Sequence, residues 1–91
     1  MPTIKIPAVI SDTGGSKQVD VEGSTVREAI ESYTRDHGSE LEEDVVEDGE
    51  IKEYINVYVN GKDVRNLQGI ESNLEEDDVV RIIPAASGGL Q

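Results

Sequence analysis

Two strongly apolar segments, one near each end of the chain, constrain the fold most. Residues 3–6 alternate polar and apolar side chains, and residues 79–83 read Val-Val-Arg-Ile-Ile. Both patterns predict β-strands. A mixed sheet in which these two strands are adjacent and parallel, covered on one face by a helix, buries the most apolar surface. The first and last strands are therefore expected to pair with each other.

The segment between them changes its hydrophobic period and predicts one main helix. Thr25, followed three residues later by Glu28, has the pattern of a capping box. Gly38 suits the position that closes a helix at its C-terminal end. The residues on one stripe at helical spacing are Val26, Ala29, Ile30 and Tyr33. We expect a helix that begins after Thr25 and ends at His37.

Hairpins are expected on both sides of this helix. The first strand is predicted to run to about Ile10, with turn formers at 11–16 and a return strand over 17–22. Residues 54–59 form the strongest strand pattern, and Asn60-Gly61 then predicts a two-residue turn into a return strand over 62–65.

Two connectors complete the chain. Residues 39–53 form an acidic connector that we expect to hold a short helical turn over 41–46. Residues 66–78 are irregular, and their expected attachments to the core are Leu67, Ile70 and Leu74.

Composition limits both the core and the chemistry. The 91 residues fit one domain, and with three Tyr and no Phe or Trp its core must consist mainly of Val, Ile and Leu. The chain has no Cys, which excludes disulfides, thiolate metal sites and a cysteine nucleophile. Any sulfur chemistry must use sulfur from elsewhere.

The charge of the chain restricts its partners. Twenty acidic and eight basic residues give a net charge of −12, which argues against nucleic acid or anionic membranes and favours basic protein partners. The N-terminus lacks a signal-peptide pattern and no segment reaches membrane-spanning length, so a cytoplasmic location is expected.

The C-terminal end has the composition of a thin, extended tail. The last strand runs into Pro84, Ala85, Ala86, Ser87, Gly88 and Gly89, with Leu90 and Gln91 beyond. Neither glycine carries a side chain that could block a narrow channel. The sequence thus divides into a domain over residues 1–83 and a flexible tail over 84–91.

These features together resemble the MoaD/ThiS family of ubiquitin-like sulfur carriers, especially the branch of the mycobacterial cysteine-biosynthesis carrier and the small archaeal modifiers. The segments that carry the resemblance are Ile6-Pro7, Thr13-Gly14-Gly15, Thr25-Val26 with Ala29-Ile30, residues 55–65, Ile83-Pro84-Ala85 and Ser87-Gly88-Gly89. The resemblance implies an α+β fold, the ubiquitin-like β-grasp, in which a mixed sheet of four to five strands packs on one main helix.

The resemblance also implies a function at Gly89. An E1-like adenylyltransferase of the MoeB/ThiF type would use ATP and magnesium to adenylate the Gly89 carboxylate. The carrier itself would be no enzyme and would bind no metal or cofactor. Sulfur transfer would then give a thiocarboxylate for molybdopterin, cysteine, thiamine or transfer RNA thiolation. Attack by a lysine amine of a target protein would instead give protein modification.

Leu90 and Gln91 depart from the family pattern, because an amide-linked Gly89 cannot be adenylated at its carboxyl group. Trimming between Gly89 and Leu90 is expected, and the family's JAMM-type metalloproteases are candidate partners for it. The alternative is a β-grasp binding module with a permanently blocked tail and no covalent chemistry.

The resemblance further implies docking by the sheet face that points away from the helix. By position, the residues expected to dock are Tyr58, Arg65, Arg81 and Ile83. The partners would be the activating enzyme and a sulfur-acceptor enzyme, such as a molybdopterin synthase large subunit or a cysteine synthase.

Four other motifs have simpler readings than a catalytic or metal site. Asp12-Thr13-Gly14 matches an aspartic-protease triplet but lacks the second carboxylate that such chemistry needs. Gly14-Gly15-Ser16-Lys17 lacks the spacing of a phosphate-binding loop. The acidic runs at 42–44 and 47–50 lack the spacing of a calcium loop. His37, the only histidine, has no partner at ligand spacing. The hypothesis of a small acid-base enzyme therefore lacks a credible set of catalytic residues in this sequence.

Overall fold

The computed structural model describes residues 1–6 and 17–84. The elements in chain order are β1 (Thr3–Ile6), β2 (Lys17–Asp20), α1 (Val26–His37), α2 (Glu40–Val45), β3 (Val46–Glu47), β4 (Glu50–Ile51), β5 (Ile55–Val59), β6 (Lys62–Asp63) and β7 (Val79–Pro84). Two 3-10 turns, Val64–Asn66 and Gly69–Glu71, lie between β6 and β7.

The main sheet is mixed and has five strands in the order β2-β1-β7-β5-β6. The first and last strands are parallel neighbours, with Ile4 opposite Val80, so this prediction is confirmed. On its other side β7 is antiparallel to β5, with Ile82 opposite Val57. The C-terminal strand therefore lies in the centre of the sheet.

The core lies between the sheet and α1. Successive side chains of a strand point to opposite faces, so alternate residues of β1, β5 and β7 are buried on the α1 side. The buried strand residues are Ile4, Ile6, Ile55, Val57, Val59, Val80 and Ile82. Those of α1 are Val26, Ala29, Ile30, Ser32 and Tyr33. The predicted helical stripe and the expected core of Val, Ile and Leu are confirmed.

The capping box at the start of α1 is shifted by one residue. Thr25 Oγ1 accepts the N–H of Glu28 at 3.1 Å, as predicted. The Glu28 carboxylate, however, accepts the Ser24 N–H at 2.8 Å and the Ser24 hydroxyl at 3.0 Å instead of the Thr25 N–H. The bond from the Ser24 N–H has the larger effect and that from the Ser24 hydroxyl the smaller, and both lower the pKa of Glu28. At the other end, Gly38 has a φ of 97° and its N–H donates to the Thr34 carbonyl.

Three expectations about the connecting segments are wrong. The return strand β6 ends at Asp63 and not at residue 65, because Asp63 Oδ1 accepts the Arg65 N–H at 2.8 Å and starts a 3-10 turn. Leu67 is 46% exposed and does not attach the irregular segment, whereas Ile70 and Leu74 are buried. β2 ends at Asp20, and the Glu22 N–H donates to Ser32 Oγ on α1.

The acidic connector contains a small hairpin that the sequence pattern had not led us to expect. After the expected helical turn, α2, the strands β3 and β4 pair across Asp48 and Gly49, which have φ values of 54° and 80°. Asp-Gly is a preferred pair for such a turn, so the sequence does contain a signal for this hairpin. Arg27 fixes the hairpin to α1 through Nη2, which donates to the Gly49 carbonyl at 2.8 Å.

Candidate functional site

The candidate site begins where the central strand ends. Pro84, predicted to belong to the tail, is the last residue of β7 and lies opposite Ile55 at the start of β5. The predicted tail residues Ala85, Ala86, Ser87, Gly88 and Gly89, and the predicted cleavage point before Leu90, lie outside the described residues. The predictions made for them therefore stay predictions.

The face of the sheet that points away from α1, called the open face here, carries a shallow groove. The groove has a volume of about 550 Å³, and its lining residues are Lys5, Tyr58, Asn60, Gly61, Val79, Arg81 and Ile83. It brings together Tyr58, Arg81 and Ile83, three of the four residues expected to dock. Their docking role stays a prediction, but their common location is a property of the sheet.

Strand register explains how these side chains meet. Arg81 on the central strand lies opposite Lys5 on β1 and opposite Tyr58 on β5. Ile83 lies opposite Asn56 and is 37% exposed, which is unusual for an aliphatic side chain in the middle strand. The groove thus combines two cations, an aromatic ring and an exposed aliphatic side chain.

One end of the groove is fixed by Asn60 in the predicted hairpin turn. Asn60 and Gly61 have φ values of 53° and 86°, as a two-residue turn of this type requires. Asn60 Nδ2 donates to Asp78 Oδ1 at 2.7 Å, and Asn60 Oδ1 accepts the Val79 N–H at 3.0 Å. The turn is therefore tied to the start of β7.

The groove is electrostatically different from the rest of this acidic chain. Among the described residues that line it, none is a carboxylate. Three carboxylates near the groove have hydrogen-bond partners: Asp63 accepts the Arg65 N–H, Asp20 accepts the Thr3 hydroxyl, and Asp78 accepts the Asn60 side-chain amide. The one ion pair that residues 1–6 and 17–84 form joins Arg27 and Glu71 at 2.6 Å. Within these ranges, Lys5 and Arg81 have no carboxylate at salt-bridge distance.

Arg65, the fourth residue expected to dock, does not line the groove. Its guanidinium donates to Asn56 Oδ1 at 2.8 Å and to the Ile55 carbonyl at 2.6 Å. It also donates to the carbonyls of Lys52 and Glu53 at 3.0 and 3.1 Å. Arg65 thus holds the segment that leads into β5, at the end of the sheet where β7 stops.

Other exposed groups near this site were not predicted from the sequence. Tyr54, next to Ile55, is 60% exposed, and Lys52 Nζ lies 6.0 Å from the centre of its ring. Lys5 was also missed, although its alternation with the buried Ile4 and Ile6 places it on the open face. Its place in a pair of cations depends on Arg81 being its neighbour, and only the strand register shows that they are neighbours.

The described residues offer little for other chemistry. His37 is exposed at the end of α1 and its ring lies 4.6 Å from that of Tyr33. Residues 1–6 and 17–84 contain no group of three acidic or histidine side chains placed to hold a metal ion. In the same ranges, no helix has the length and apolarity needed to cross a membrane. The Asp12-Thr13-Gly14 motif and residues 14–16 lie outside the described residues.

Comparison with known proteins identifies the class of this chain. The model of the ThiS family matches residues 4–89, and the chain belongs to this family. The match covers all of the described strands except the first residue of β1, and it extends through Gly88 and Gly89. The resemblance stated from the sequence is confirmed, and the family is one of ubiquitin-like sulfur carriers and small modifiers.

Three relatives make the comparison specific. The sulfur carrier protein CysO of Mycobacterium tuberculosis is 33% identical over 90 residues, which cover 96% of this chain and 97% of that protein. CysO in the crystal structure of the Amycolatopsis orientalis BexX/CysO complex is 36% identical, with a TM-score of 0.88 and coverage of 98% and 100%. Small archaeal modifier protein 1 of Methanosarcina acetivorans is 25% identical, with a TM-score of 0.69 and coverage of 98% of both chains. The ubiquitin-like β-grasp fold is confirmed.

Proposed function

We propose that this chain carries sulfur as a thiocarboxylate on Gly89, after removal of Leu90 and Gln91. The observation that carries the proposal is the match of the ThiS family through residue 89, five residues past the end of the central strand β7. The two residues after Gly89 lie outside that match. This supports Gly89 as the reactive end and trimming as the step that precedes activation.

The chemistry requires only a carboxylate from the carrier. An E1-like enzyme joins the Gly89 carboxylate to the α-phosphate of ATP, and pyrophosphate leaves. A persulfide sulfur then attacks the acyl carbon, AMP leaves, and a thiol reductant cleaves the sulfur–sulfur bond to release the thiocarboxylate. ATP and magnesium are bound by the enzyme and not by the carrier.

The same activated carbonyl has a second fate. A lysine amine of a target protein can attack the adenylate, or a thioester derived from it, and form an isopeptide bond. The similarity to proteins named sulfur carrier and small archaeal modifier supports both fates. The Amycolatopsis crystal structure contains CysO in complex with BexX, and by analogy we propose that this chain delivers its sulfur to a partner enzyme. The sulfur-acceptor enzyme and the trimming metalloprotease are part of the proposal.

The test compares two forms of the chain, one ending at Gly89 and one ending at Gln91, with the E1-like enzyme of the same organism. With ATP, the form ending at Gly89 is expected to release pyrophosphate, and the full-length form is not. With a persulfide donor and a reductant, the intact mass should change by one oxygen replaced by sulfur. A form ending at Gly88 is the matched control, because it has a free glycine carboxylate one residue too early.

Failure of the form ending at Gly89 to release pyrophosphate would contradict the proposal and favour a non-covalent binding module. Intact-mass measurement on protein from native cells gives an independent check. It should find a species that ends at Gly89, part of it carrying sulfur. If only the full-length carboxylate were found, activation at Gly89 would not be the function.

A further inference from the structure

The strand β2, at one edge of the main sheet, has backbone groups without a partner strand among the described residues. Val21, directly after β2, donates its N–H to the Pro2 carbonyl at 2.8 Å. Since the backbone groups of successive residues in a strand point to opposite sides, those of Val19 and Val21 face β1. Those of Gln18 and Asp20 face outward. This side of β2 therefore offers two N–H groups and two carbonyls to a further strand.

Helix α1 flanks this outward side of β2. The next outward N–H, that of Glu22, donates to Ser32 Oγ on α1 at 3.0 Å. A chain segment that paired with β2 would therefore run alongside α1. Where β2 ends, the molecule has a recess of about 320 Å³, and its lining residues are Glu22, Gly23, Glu28, Glu31 and Arg35.

The charge on this side of the molecule is acidic. The recess is lined by three glutamates and one arginine, and Asp20 is exposed at the end of β2. The ion pair that residues 1–6 and 17–84 form joins Arg27 and Glu71, so within these ranges the carboxylates of the recess are in no salt bridge. Two copies that paired through β2 would bring carboxylates against carboxylates, which opposes self-association. The same charge attracts a strand that carries lysine or arginine.

We propose that the β2 edge binds an extended, basic segment of a partner protein, which adds a sixth strand to the sheet and places cationic side chains against Glu22, Glu28 and Glu31. The backbone of Gln18 and Asp20 supplies the hydrogen bonds, and the acidic recess selects the charge. Every second side chain of the added strand lies on the α1 side. This interaction goes beyond the proposed carrier function, because it involves no covalent step.

The proposed site and the start of the tail lie at opposite ends of the sheet. β7 is parallel to β1, and β2 is antiparallel to it. Asp20 therefore lies at the end where β7 begins, and Pro84 lies at the end where β7 stops. A segment bound along β2 does not cover Pro84. The carrier can thus be held by one protein while its Gly89 reacts with another.

The test titrates the isotope-labelled full chain at low salt with a synthetic heptapeptide of alternating lysine and threonine, blocked at both ends. Nuclear magnetic resonance gives the dissociation constant and the amide exchange rates. Exchange should slow at Gln18 and Asp20, whose N–H groups gain partners, and change less at Val19, which already faces β1. The control peptide has proline in place of each threonine. It keeps the charge but cannot pair as a strand, and it should bind at least about fivefold more weakly.

Two variants test the two parts of the site. Gln18→Pro removes an outward N–H without removing a bond to β1, since proline is tolerated where its nitrogen faces away from the sheet. Glu31→Lys reverses one charge in the recess. Each should weaken binding of the lysine–threonine peptide by about tenfold. Glu53→Lys makes the same reversal at an exposed position before β5 and should change the dissociation constant by less than about threefold.

Melting temperatures separate binding from folding. Glu31→Lys changes an exposed side chain, so its melting temperature should match that of Glu53→Lys. If Gln18→Pro melts early, Glu31→Lys and the proline peptide still decide the question. Equal binding of the two peptides would show attraction by charge alone and overturn strand addition. No binding of the lysine–threonine peptide at low salt would also overturn it.

A second copy of the chain is the competing occupant of this edge. Sedimentation that shows a dimer, lost in Gln18→Pro, would assign the edge to self-association and overturn the proposal. A monomer under the same conditions supports it. None of these measurements uses ATP or an activating enzyme. Pyrophosphate release by the form ending at Gly89 therefore tests the carrier function separately, and failure of either proposal leaves the other standing.

Discussion

The guanidinium of Arg65 donates from Nη2 to the Ile55 carbonyl at 2.6 Å, at an edge of β5 where no other strand of the described residues pairs. β6 pairs only with Tyr58 and Val59, so a side chain supplies a hydrogen bond there in place of a neighbouring strand. The same guanidinium reaches Asn56 and the carbonyls of Lys52 and Glu53. Arg65 was expected to dock because of its position in the sequence. It instead shapes the start of β5, beside the end of β7.

Removing this side chain should loosen the segment before β5. Arg65→Ala is expected to lower the free energy of unfolding by about 1 kcal/mol, because charge-assisted hydrogen bonds are lost at a partly exposed site. Urea unfolding measures the change, and hydrogen exchange should quicken at residues 52–55. Lys62→Ala, which removes an exposed cation nearby, should stay within about 0.5 kcal/mol. Equal effects of the two variants would show that the Arg65 bonds contribute nothing to stability.

Gly23 should not tolerate a side chain. Its φ is +143°, and an added Cβ would lie 2.7 Å from Glu28 Cβ and 2.8 Å from the Ala29 nitrogen. Gly38 also has a positive φ, +97°, but an added Cβ there meets nothing within 4 Å. Both Gly→Ala variants strain the backbone, and only Gly23→Ala adds a clash with α1, so it should be less stable than Gly38→Ala by at least about 1 kcal/mol. Thermal unfolding of the two variants side by side makes the comparison, and equal losses would mean that α1 can move away at little cost.

Glu28 should make stability depend on acid pH. The Ser24 N–H and hydroxyl lower its pKa in the folded state below the ordinary value of 4.5. The unfolded chain therefore binds a proton at Glu28 at a higher pH than the folded chain does. The contribution to stability is present above pH 4.5 and is lost as the pH falls through the folded-state pKa.

Urea unfolding between neutral and acid pH tests this, with Glu28→Gln as the variant. The difference in unfolding free energy between the unmodified chain and Glu28→Gln should shrink as the pH falls. Glu31→Gln removes a carboxylate from the same helix and controls for the loss of one charge. A constant difference across the pH range would contradict a role for the ionised Glu28.

Val57 is fully buried in β5, opposite Ile82. Val57→Asp places an unpaired charge between the sheet and α1 and should cost about 4 kcal/mol or more, enough to unfold a small domain. Circular dichroism and amide chemical-shift dispersion report the loss of structure. Gln18→Asp adds the same charge at an exposed position of β2 and should leave the spectra unchanged. A folded Val57→Asp variant would contradict the placement of Val57 in the core.

Regular elements were predictable because their signals are local. The period-two pattern of residues 55–59, the Asn60-Gly61 turn and the Thr25 cap each determine their own neighbourhood. The parallel pairing of the first and last strands followed from the amount of apolar surface to be buried. Leu67 was misassigned because an apolar residue in an irregular segment has no period to indicate its orientation.

The candidate site was less predictable because it depends on distant residues. The open face is a set of strand neighbours, and the proximity of Lys5 to Arg81 requires a pairing across most of the chain. The position of Arg65 required knowing that the Asp63 side chain ends β6. In both cases the deciding contact is a register or a hydrogen bond between side chain and backbone, which composition and spacing do not encode.

The central position of β7 has a consequence for synthesis. This strand is the last part of the described chain to leave the ribosome, and its parallel partner β1 is the first. The sheet cannot close until the whole domain has been made, since β7 separates β1 from β5. A chain interrupted anywhere before β7 has no complete sheet. Under the proposed function, a chain that has a Gly89 to activate therefore also has every strand of this sheet.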